Sequence, residues 1–154
     1  MPVKKLKEFL DRNGIKYVTI SHSAAFTAQE VAASSHVPGK ELAKTVMVKI
    51  DGTMAMAVLP SLYHVDFHRL KKAIGAKVVE LAGEDEFKDR FPDCEPGAMP
   101  PFGNLYDMEV YSAEALAENR EITFNAGTHT ELIKMSYQDF ERLVKPKKVK
   151  FSAS

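Results

Sequence analysis

A lysine at the start of an apolar strand pattern is the first residue whose type and position could do chemistry. Strict alternation places Lys44 on the same face as Val46, Val48 and Ile50. An inward-facing ammonium needs a partner, because an unpaired buried charge is strongly unfavourable. At the rim of a sheet, the same lysine can instead reach solvent along its aliphatic stem. The position therefore predicts either a lysine that binds a polar or anionic group or a solvated rim lysine.

A glycine- and proline-rich segment at residues 94–103 is the second candidate. Gly97 to Pro101 has the pattern Gly-x-x-x-Pro, which neither a helix nor a central strand accommodates. The prolines stiffen this loop, so the backbone N–H groups of Gly97, Ala98 and Met99 could stabilise an oxyanion. The alternative is a rigid connector between two strands.

His129 is the third candidate, in a Gly-Thr-His-Thr turn between two predicted strands. A histidine in this position can bind a substrate or relay a proton near neutral pH. The alternative is an exposed turn histidine with no chemical role.

Two other patterns are weaker evidence for a functional site, one for a zinc site and one for a cysteine nucleophile. His64 and His68 have the i, i+4 spacing of zinc ligands on a helix, but the Glu of His-Glu-x-x-His is missing and no third ligand is apparent. Pro60 and Tyr63 also indicate that His64 precedes the helix. Cys94 could be a nucleophile activated by His129, but Asp93 and Glu95 beside it should raise its pKa.

The elements that must position these residues alternate between strands and helices. Asp51-Gly52, between the apolar runs 44–50 and 53–59, predicts a tight type I′ hairpin. The capping box Thr27-Ala28-Gln29-Glu30 predicts a helix, and Ser136-x-x-Asp139 predicts another that runs to Val144. The remaining predictions are helices at 6–10, 66–74 and 84–91, a helical turn at 114–117, and strands at 15–21, 77–81, 109–112, 122–125 and 132–135. Together they predict an α+β fold with a mixed, largely antiparallel sheet packed by helices.

Length and composition predict one domain. The chain has 154 residues, of which 45% are hydrophobic, and this is enough for a core. Basic and acidic residues both number 21, so any contact with nucleic acid should be local. The basic segment 145–154 is expected to be a tail that is either solvated or bound to RNA phosphates. The single cysteine, the polar N-terminus and the absence of a long apolar run predict a cytosolic protein without a membrane span.

Four segments together resemble the YbaK family, the editing domains associated with prolyl-tRNA synthetase. They are residues 43–49, 57–60, 97–101 and 124–131, within a region from about Phe26 to Val144. The resemblance implies hydrolysis of mischarged aminoacyl-tRNA by a free-standing, metal-independent deacylase without a cofactor. The partners it implies are the acceptor end of mischarged tRNA and an aminoacyl-tRNA synthetase, with no membrane and no DNA.

The resemblance also implies roles for particular residues. Lys44 would hold the phosphate-sugar end of the substrate or the developing charge, with Gly97 and His129 as the other catalytic candidates. The implied substrate-binding residues are Phe26, Thr45, Met47, Ala98, Met99, Pro101, Phe102, Asn125, Gly127 and Thr128. Among these, Phe26, Met47 and Phe102 could equally pack in the core.

Two other functions remain compatible with the sequence. One is a noncatalytic module of the same fold that binds tRNA or a nucleotide. The other is a hydrolase of an unrelated small acyl ester, which would act equally well on substrates without RNA.

Overall fold

Residues 4–21 and 37–153 are described in the computed structural model. Within them, the helices are α1 (Lys4–Arg12), α2 (Phe67–Ile74), α3 (Glu84–Phe87) and α4 (Tyr137–Val144). The strands are β1 (Tyr17–Ser21), β2 (Leu42–Ile50), β3 (Thr53–Pro60), β4 (His64–Val65), β5 (Val79–Leu81), β6 (Glu109–Ala113), β7 (Glu121–Asn125), β8 (Glu131–Ser136), β9 (Lys147–Val149) and β10 (Ser152–Ala153). The helix predicted from Thr27–Glu30 and the site candidate Phe26 lie outside the described residues.

The local signals in the sequence set several element boundaries. Asp51 and Gly52 have φ values of 50° and 86°, so the type I′ hairpin between β2 and β3 is confirmed. Asp66 caps α2 by accepting from the backbone N–H of Arg69, and Gly75 ends this helix with a φ of 69°. Ser136 caps α4 as predicted, accepting from the N–H of Asp139 at 3.3 Å.

The acidic helix predicted over 84–91 is shorter than expected. α3 ends at Phe87, and a 3₁₀ turn at Lys88–Arg90 follows it. Phe91 has φ −128° and ψ 59°, which is not helical. The residue before a proline is driven out of the helical region, so Pro92 accounts for the end of the helical segment at Arg90.

The described strands form one eight-stranded sheet and one two-stranded sheet. The large sheet has the order β1-β8-β7-β2-β3-β6-β9, with β5 beside β2, and β10 pairs with β4 in the small one. Five pairings are antiparallel, whereas β2/β7, β3/β6 and β6/β9 are parallel. The predicted mixed, largely antiparallel sheet is confirmed, but the three parallel pairings were not predicted.

Apolar clusters cover both faces of this sheet, because alternate residues of β2 and β3 point to opposite sides. Met47, Met56 and Val58 belong to the first cluster, which α1, α4 and the loop residues Met99 and Phe102 complete. Val48, Ala57 and Leu59 belong to the second cluster, with Leu70 of α2 and Phe151. β3 is therefore buried on both faces, which explains its nearly continuous apolar sequence.

The basic segment 145–154 was expected to be a tail, and the structure corrects this. β9 extends the large sheet beside β6, and β10 pairs with β4. Between them, Phe151 is fully buried, and its carbonyl accepts from the N–H of Asp66 at 2.7 Å. An apolar residue in a basic run thus anchors the segment to the second cluster.

No helix within residues 4–21 and 37–153 is long and apolar enough to cross a lipid bilayer.

Candidate functional site

Lys44 and Asn125 each follow the last paired residue of two parallel strands. The last paired residues of β2 and β7 are Ala43 and Phe124, and Lys44 and Asn125 are the next residue on each strand. Ala43 and Phe124 both point into the first cluster, so alternation directs the following two side chains to the opposite face. The register therefore places a lysine and an amide one residue beyond the same strand pairing and on the same face, although they are 81 positions apart in the chain.

Lys44 lies in an environment that disfavours its charge. The residue is half-buried, and its partner on β3 is Leu59, which is fully buried. Burial lowers the pKa of the Lys44 ammonium, and no carboxylate in the described part of the chain offsets this effect. Lys44 lies on the predicted apolar face of β2, opposite Leu59, and the ammonium is available to an anionic or polar group.

The side chain of Asn125 contains a hydrogen-bond acceptor without a donor. Its Oδ1 atom is buried and has no partner within the described ranges. Buried carbonyl oxygens in folded proteins are normally satisfied, because an unsatisfied one costs about 1–3 kcal/mol. A hydroxyl or amino group of a bound ligand would satisfy this atom.

The Gly97 loop is fixed against the turn that follows Asn125. The backbone N–H of Gly127 donates to the carbonyl of Ala98 at 2.9 Å, and the N–H of Glu95 donates to the carbonyl of Gly127 at 2.8 Å. Gly127 and Gly97 have φ values of 100° and 85°, in the left-handed region that favours glycine. The two segments form one unit at the end of β7.

His129 and Glu95 hold this unit together through their side chains. The Glu95 carboxylate accepts from the backbone N–H of His129 at 2.6 Å. The His129 Nε2 atom lies 2.7 Å from the carbonyl oxygen of Pro96, and because a carbonyl can only accept, Nε2 carries the proton. His129 is 9% exposed, which excludes the alternative of an exposed turn histidine. These contacts, which we call the Glu95–His129 latch, position the Gly97 loop.

The latch changes which backbone groups of the loop can bind an oxyanion. The N–H of Ala98 donates to the carbonyl of Glu95 at 3.0 Å, so the prediction that it is an available donor is wrong. Within residues 4–21 and 37–153, the N–H groups of Gly97 and Met99 have no acceptor. These two groups can donate to a ligand.

Several of the predicted pocket residues are parts of the core. Met47, Met99 and Phe102 belong to the first cluster, and the Phe102 ring packs against the rings of Phe9, Phe124 and Phe140. Pro101 and Ala98 are also buried. Thr45 is half-buried on the face opposite Lys44, and the Thr128 hydroxyl lies 3.4 Å from that of Thr130. The structure thus separates the side chains of Thr45, Met47, Met99 and Phe102 from that of Lys44.

Cys94 is a poor nucleophile, as its neighbours suggested. Burial raises the pKa of its thiol to about 11, with a further contribution from Asp93. The direction agrees with the prediction, but burial is the larger cause and Glu95 is engaged in the latch. The two spaced histidines also differ from the zinc pattern, since His64 lies on β4 and His68 on α2.

Glu95 is the functional candidate that sequence reasoning missed. It was considered only for its charge beside Cys94. The sequence did contain a signal, which is a carboxylate inside a stiff Gly/Pro loop. Backbone N–H groups in and near such a loop are not paired by a helix or a sheet, and a carboxylate can accept hydrogen bonds from them.

Comparison with known proteins places this geometry in a family. The model of the family described as "Aminoacyl-tRNA editing domain" matches residues 22–143. The chain belongs to this family. The matched region of the editing domain includes Lys44, the Gly97 loop, Asn125 and the latch.

Relatives and solved structures agree with this assignment. The editing domain is 29% identical over 89 residues to the proline–tRNA ligases of Bacillus mycoides (strain KBAB4) and Bacillus cereus (strain AH187), and the match covers 58% of this chain and 16% of each ligase. A candidate trans-editing enzyme for prolyl tRNA synthetase superposes with a TM-score of 0.82 at 17% identity, over 99% of this chain and 97% of that one. The hypothetical protein APE2540 gives a TM-score of 0.85 at 19% identity, over 97% of this chain and all of that one. At these identities the structural likeness shows the fold.

Proposed function

We propose that this editing domain is a deacylase that hydrolyses the ester between a wrong amino acid and the terminal ribose of tRNA. The observation that carries the proposal is the parallel pairing of β2 and β7 that ends just before Lys44 and Asn125, with the latched Gly97 loop fixed to the turn after β7. This arrangement presents an ammonium, an unsatisfied amide oxygen and unpaired backbone N–H groups, and it occurs in a member of an aminoacyl-tRNA editing family.

The reaction needs positioning more than strong chemical activation. An aminoacyl ester is reactive in water, so holding it in place and stabilising the oxyanion can supply much of the rate. Water adds to the ester carbonyl, the bond to the ribose oxygen breaks, and the proton from water passes to that oxygen. The products are a free amino acid and tRNA with a restored hydroxyl.

Each group has a proposed place in this reaction. The N–H groups of Gly97 and Met99 donate to the oxyanion, while Lys44 binds the phosphate-sugar end or the developing charge. Asn125 Oδ1 accepts from a hydroxyl or amino group of the substrate. His129 and Glu95 position the Gly97 loop, and their ring and carboxylate need not touch the reacting atoms.

We further propose that the reaction uses neither a thiol nor a metal. Cys94 is protonated at neutral pH because its pKa is raised to about 11. His64 and His68 lie on different elements, so they do not form the helical zinc pair that their spacing suggested. Activity should therefore persist in Cys94→Ser and in EDTA, and loss in EDTA with recovery on added zinc would contradict this part.

A single-turnover assay with mischarged tRNAs tests the proposed function. tRNAs carrying alanine, serine, threonine or cysteine would be mixed with excess protein, and the release of amino acid would be measured. We expect fast release from at least one of them, and at least a 100-fold slower rate for Lys44→Ala with an unchanged circular dichroism spectrum.

The other outcomes of this assay identify the alternatives. Binding of tRNA without release would indicate a noncatalytic module. Equal rates with small acyl esters that lack RNA would indicate a general ester hydrolase. Action on tRNA already released by a synthetase, which we propose from the end-to-end likeness to a candidate trans-editing enzyme, is tested by adding the protein after charging.

A further inference from the structure

The exposed side of α2 contains a local excess of positive charge. This helix of eight residues has His68, Arg69, Lys71 and Lys72 on its surface and no acidic residue of its own. The whole chain has equal numbers of basic and acidic residues, 21 of each. The charge on α2 is therefore a local feature.

Helix stability does not account for this charge. Lys71 and Lys72 lie in the last turn, where cations interact favourably with the helix dipole. Arg69 lies in the first turn, where the dipole disfavours a positive charge. Only Arg69 is compensated, by Asp66 at 3.5 Å. In the described part of the chain, Lys71 and Lys72 form no ion pair.

The C-terminal segment adds to the same surface. Arg69 donates to the carbonyl of Ser152 at 3.3 Å, and this contact holds α2 against β10. Lys150 thereby joins α2 around an open groove of about 530 Å³, and it too forms no ion pair among residues 4–21 and 37–153. The residues lining this groove, which we call the α2 groove, are His68, Arg69, Lys72, Ala73 and Lys150.

The α2 groove lies on the same face of the sheet as Lys44. Lys44 pairs with Leu59 across β2 and β3, and Leu59 packs with Leu70 of α2 in the second cluster. On the far side of Lys150, the adjoining cleft is lined by Glu114 and Glu118. These carboxylates repel anions and so bound the positive surface on that side.

We propose that the α2 groove binds the phosphodiester backbone of the tRNA while its aminoacylated 3′ end occupies the Lys44 site. This inference rests on the proposed function. A groove that is open to solvent, basic and poor in aromatic residues suits the phosphates of a structured RNA, whose recognition depends on backbone and shape more than on base edges. The proposed contact with RNA is local, as expected for a chain whose net charge is balanced.

The test measures binding of uncharged tRNA separately from deacylation. The triple variant Lys71→Gln/Lys72→Gln/Lys150→Gln removes two charges that line the groove and one from the adjoining exposed side of α2, while keeping most of each aliphatic stem. The matched control, Lys4→Gln/Lys7→Gln/Lys16→Gln, removes three exposed charges at α1 and the start of β1, where α1 packs on the opposite face of the sheet. Fluorescence anisotropy with labelled, uncharged tRNA would be recorded from 50 to 300 mM salt, with thermal melts of both variants.

We expect the α2 variant to bind tRNA about 10- to 100-fold more weakly near physiological salt, with the slope of log K against log salt reduced by about 2. The control should remain within about threefold of wild type. In single-turnover deacylation, the α2 variant should need more protein for half-maximal rate but keep its saturated rate.

Three results would overturn the inference: equal losses in the two variants, an unchanged affinity in the α2 variant, or binding to vesicles containing phosphatidylserine without binding to tRNA. The proposed function is tested by a separate result. A protein that binds tRNA through the α2 groove but releases no amino acid would support the binding groove and contradict the deacylase proposal.

Discussion

Lys44 is the residue whose protonation state should control the reaction. Burial lowers its pKa from the ordinary lysine value, so its ammonium is lost at a lower pH than that of a solvated lysine. If the ammonium binds the substrate, the deacylation rate, corrected for spontaneous hydrolysis, falls as pH rises through this lowered pKa. A pH series with wild type and Lys44→Ala measures the effect, and the variant's residual rate should lack the fall.

The free energy of unfolding should respond to the pKa of Lys44 in the opposite direction from the deacylation rate. Between the lowered pKa and the ordinary value, the unfolded chain binds more protons at this position than the folded one, so stability rises with pH in that window. A rate that falls only because the protein unfolds at high pH would therefore contradict the assignment. Lys44→Arg should also be slow, because a planar guanidinium does not replace a compact ammonium.

The Glu95–His129 latch leads to a second prediction about a single residue, Glu95. Glu95→Ala removes the acceptor for the His129 N–H, a bond of the charge-assisted kind that contributes about 1.5–3 kcal/mol. If this energy holds the Gly97 loop in its active shape, the deacylation rate should fall about 10- to 100-fold. Single-turnover assays with the best mischarged tRNA measure it.

Two comparisons distinguish positioning from direct chemistry in the latch. Glu95→Gln keeps an acceptor oxygen and should recover much of the rate. Because Glu95 and His129 hold the same loop, Glu95→Ala combined with His129→Ala should cost less than the sum of the single losses. Additive losses would show that His129 acts independently of the loop.

At the scale of elements, the Gly97 loop should set the rate through its backbone shape. Gly97 has a φ of 85°, and a Cβ placed on it would lie 3.5 Å from His129 Cε1, an ordinary contact. The cost of Gly97→Ala is therefore backbone strain and not a clash. We expect this variant to release amino acid at least tenfold more slowly than wild type, by displacing the N–H groups of Gly97 and Met99.

Ala98→Gly is the matched control for the loop. Ala98 is fully buried, and its backbone bonds to Glu95 and Gly127 do not depend on its methyl group. Its rate should therefore change less than that of Gly97→Ala across the panel of mischarged tRNAs, with thermal melts to exclude unfolding. Equal rates in wild type and Gly97→Ala would indicate that the loop is only a rigid connector between elements.

Elements whose ends are set by short-range signals were predicted well. The β2–β3 hairpin depends on Asp51-Gly52, and the starts of α2 and α4 depend on the side chains of Asp66 and Ser136. Each signal acts within a few residues, so it needs no knowledge of the tertiary structure. The acidic helix was predicted too long because its charge pattern was followed past the effect of Pro92.

At the scale of the whole molecule, the C-terminal segment completes both the sheet and the second cluster. Phe151 is fully buried among residues of β2, β3, β6 and α2. We expect Phe151→Ala to lower the free energy of unfolding by about 3–5 kcal/mol, which is typical of a buried phenylalanine. Urea unfolding followed by circular dichroism measures this value.

Lys150→Gln is the control for this prediction. Its side chain is exposed beside Phe151, so its free energy of unfolding should stay within about 0.5 kcal/mol of wild type. A loss below 1 kcal/mol in Phe151→Ala would mean that the segment is a loosely attached tail. The control also measures the effect on stability of one of the three changes in the α2 variant.

The sequence by itself determined the α+β class, the central hairpin, the helix caps and the candidates Lys44, Gly97 and His129. These follow from alternation, turn chemistry and residue types, which act over short distances or appear directly in the chain. The resemblance to the editing family rested on the same local segments, and the family assignment is now shown.

Only the tertiary structure decided which of these segments meet. The parallel register of β2 and β7 ends just before Lys44 and Asn125, and the hydrogen bonds of Glu95 and His129 fix the Gly97 loop to the turn after β7. It also placed Lys150 against α2 and buried Phe151. These arrangements depend on pairing between strands far apart in the chain, where many registers satisfy the same alternation and the packing of both sheet faces selects one.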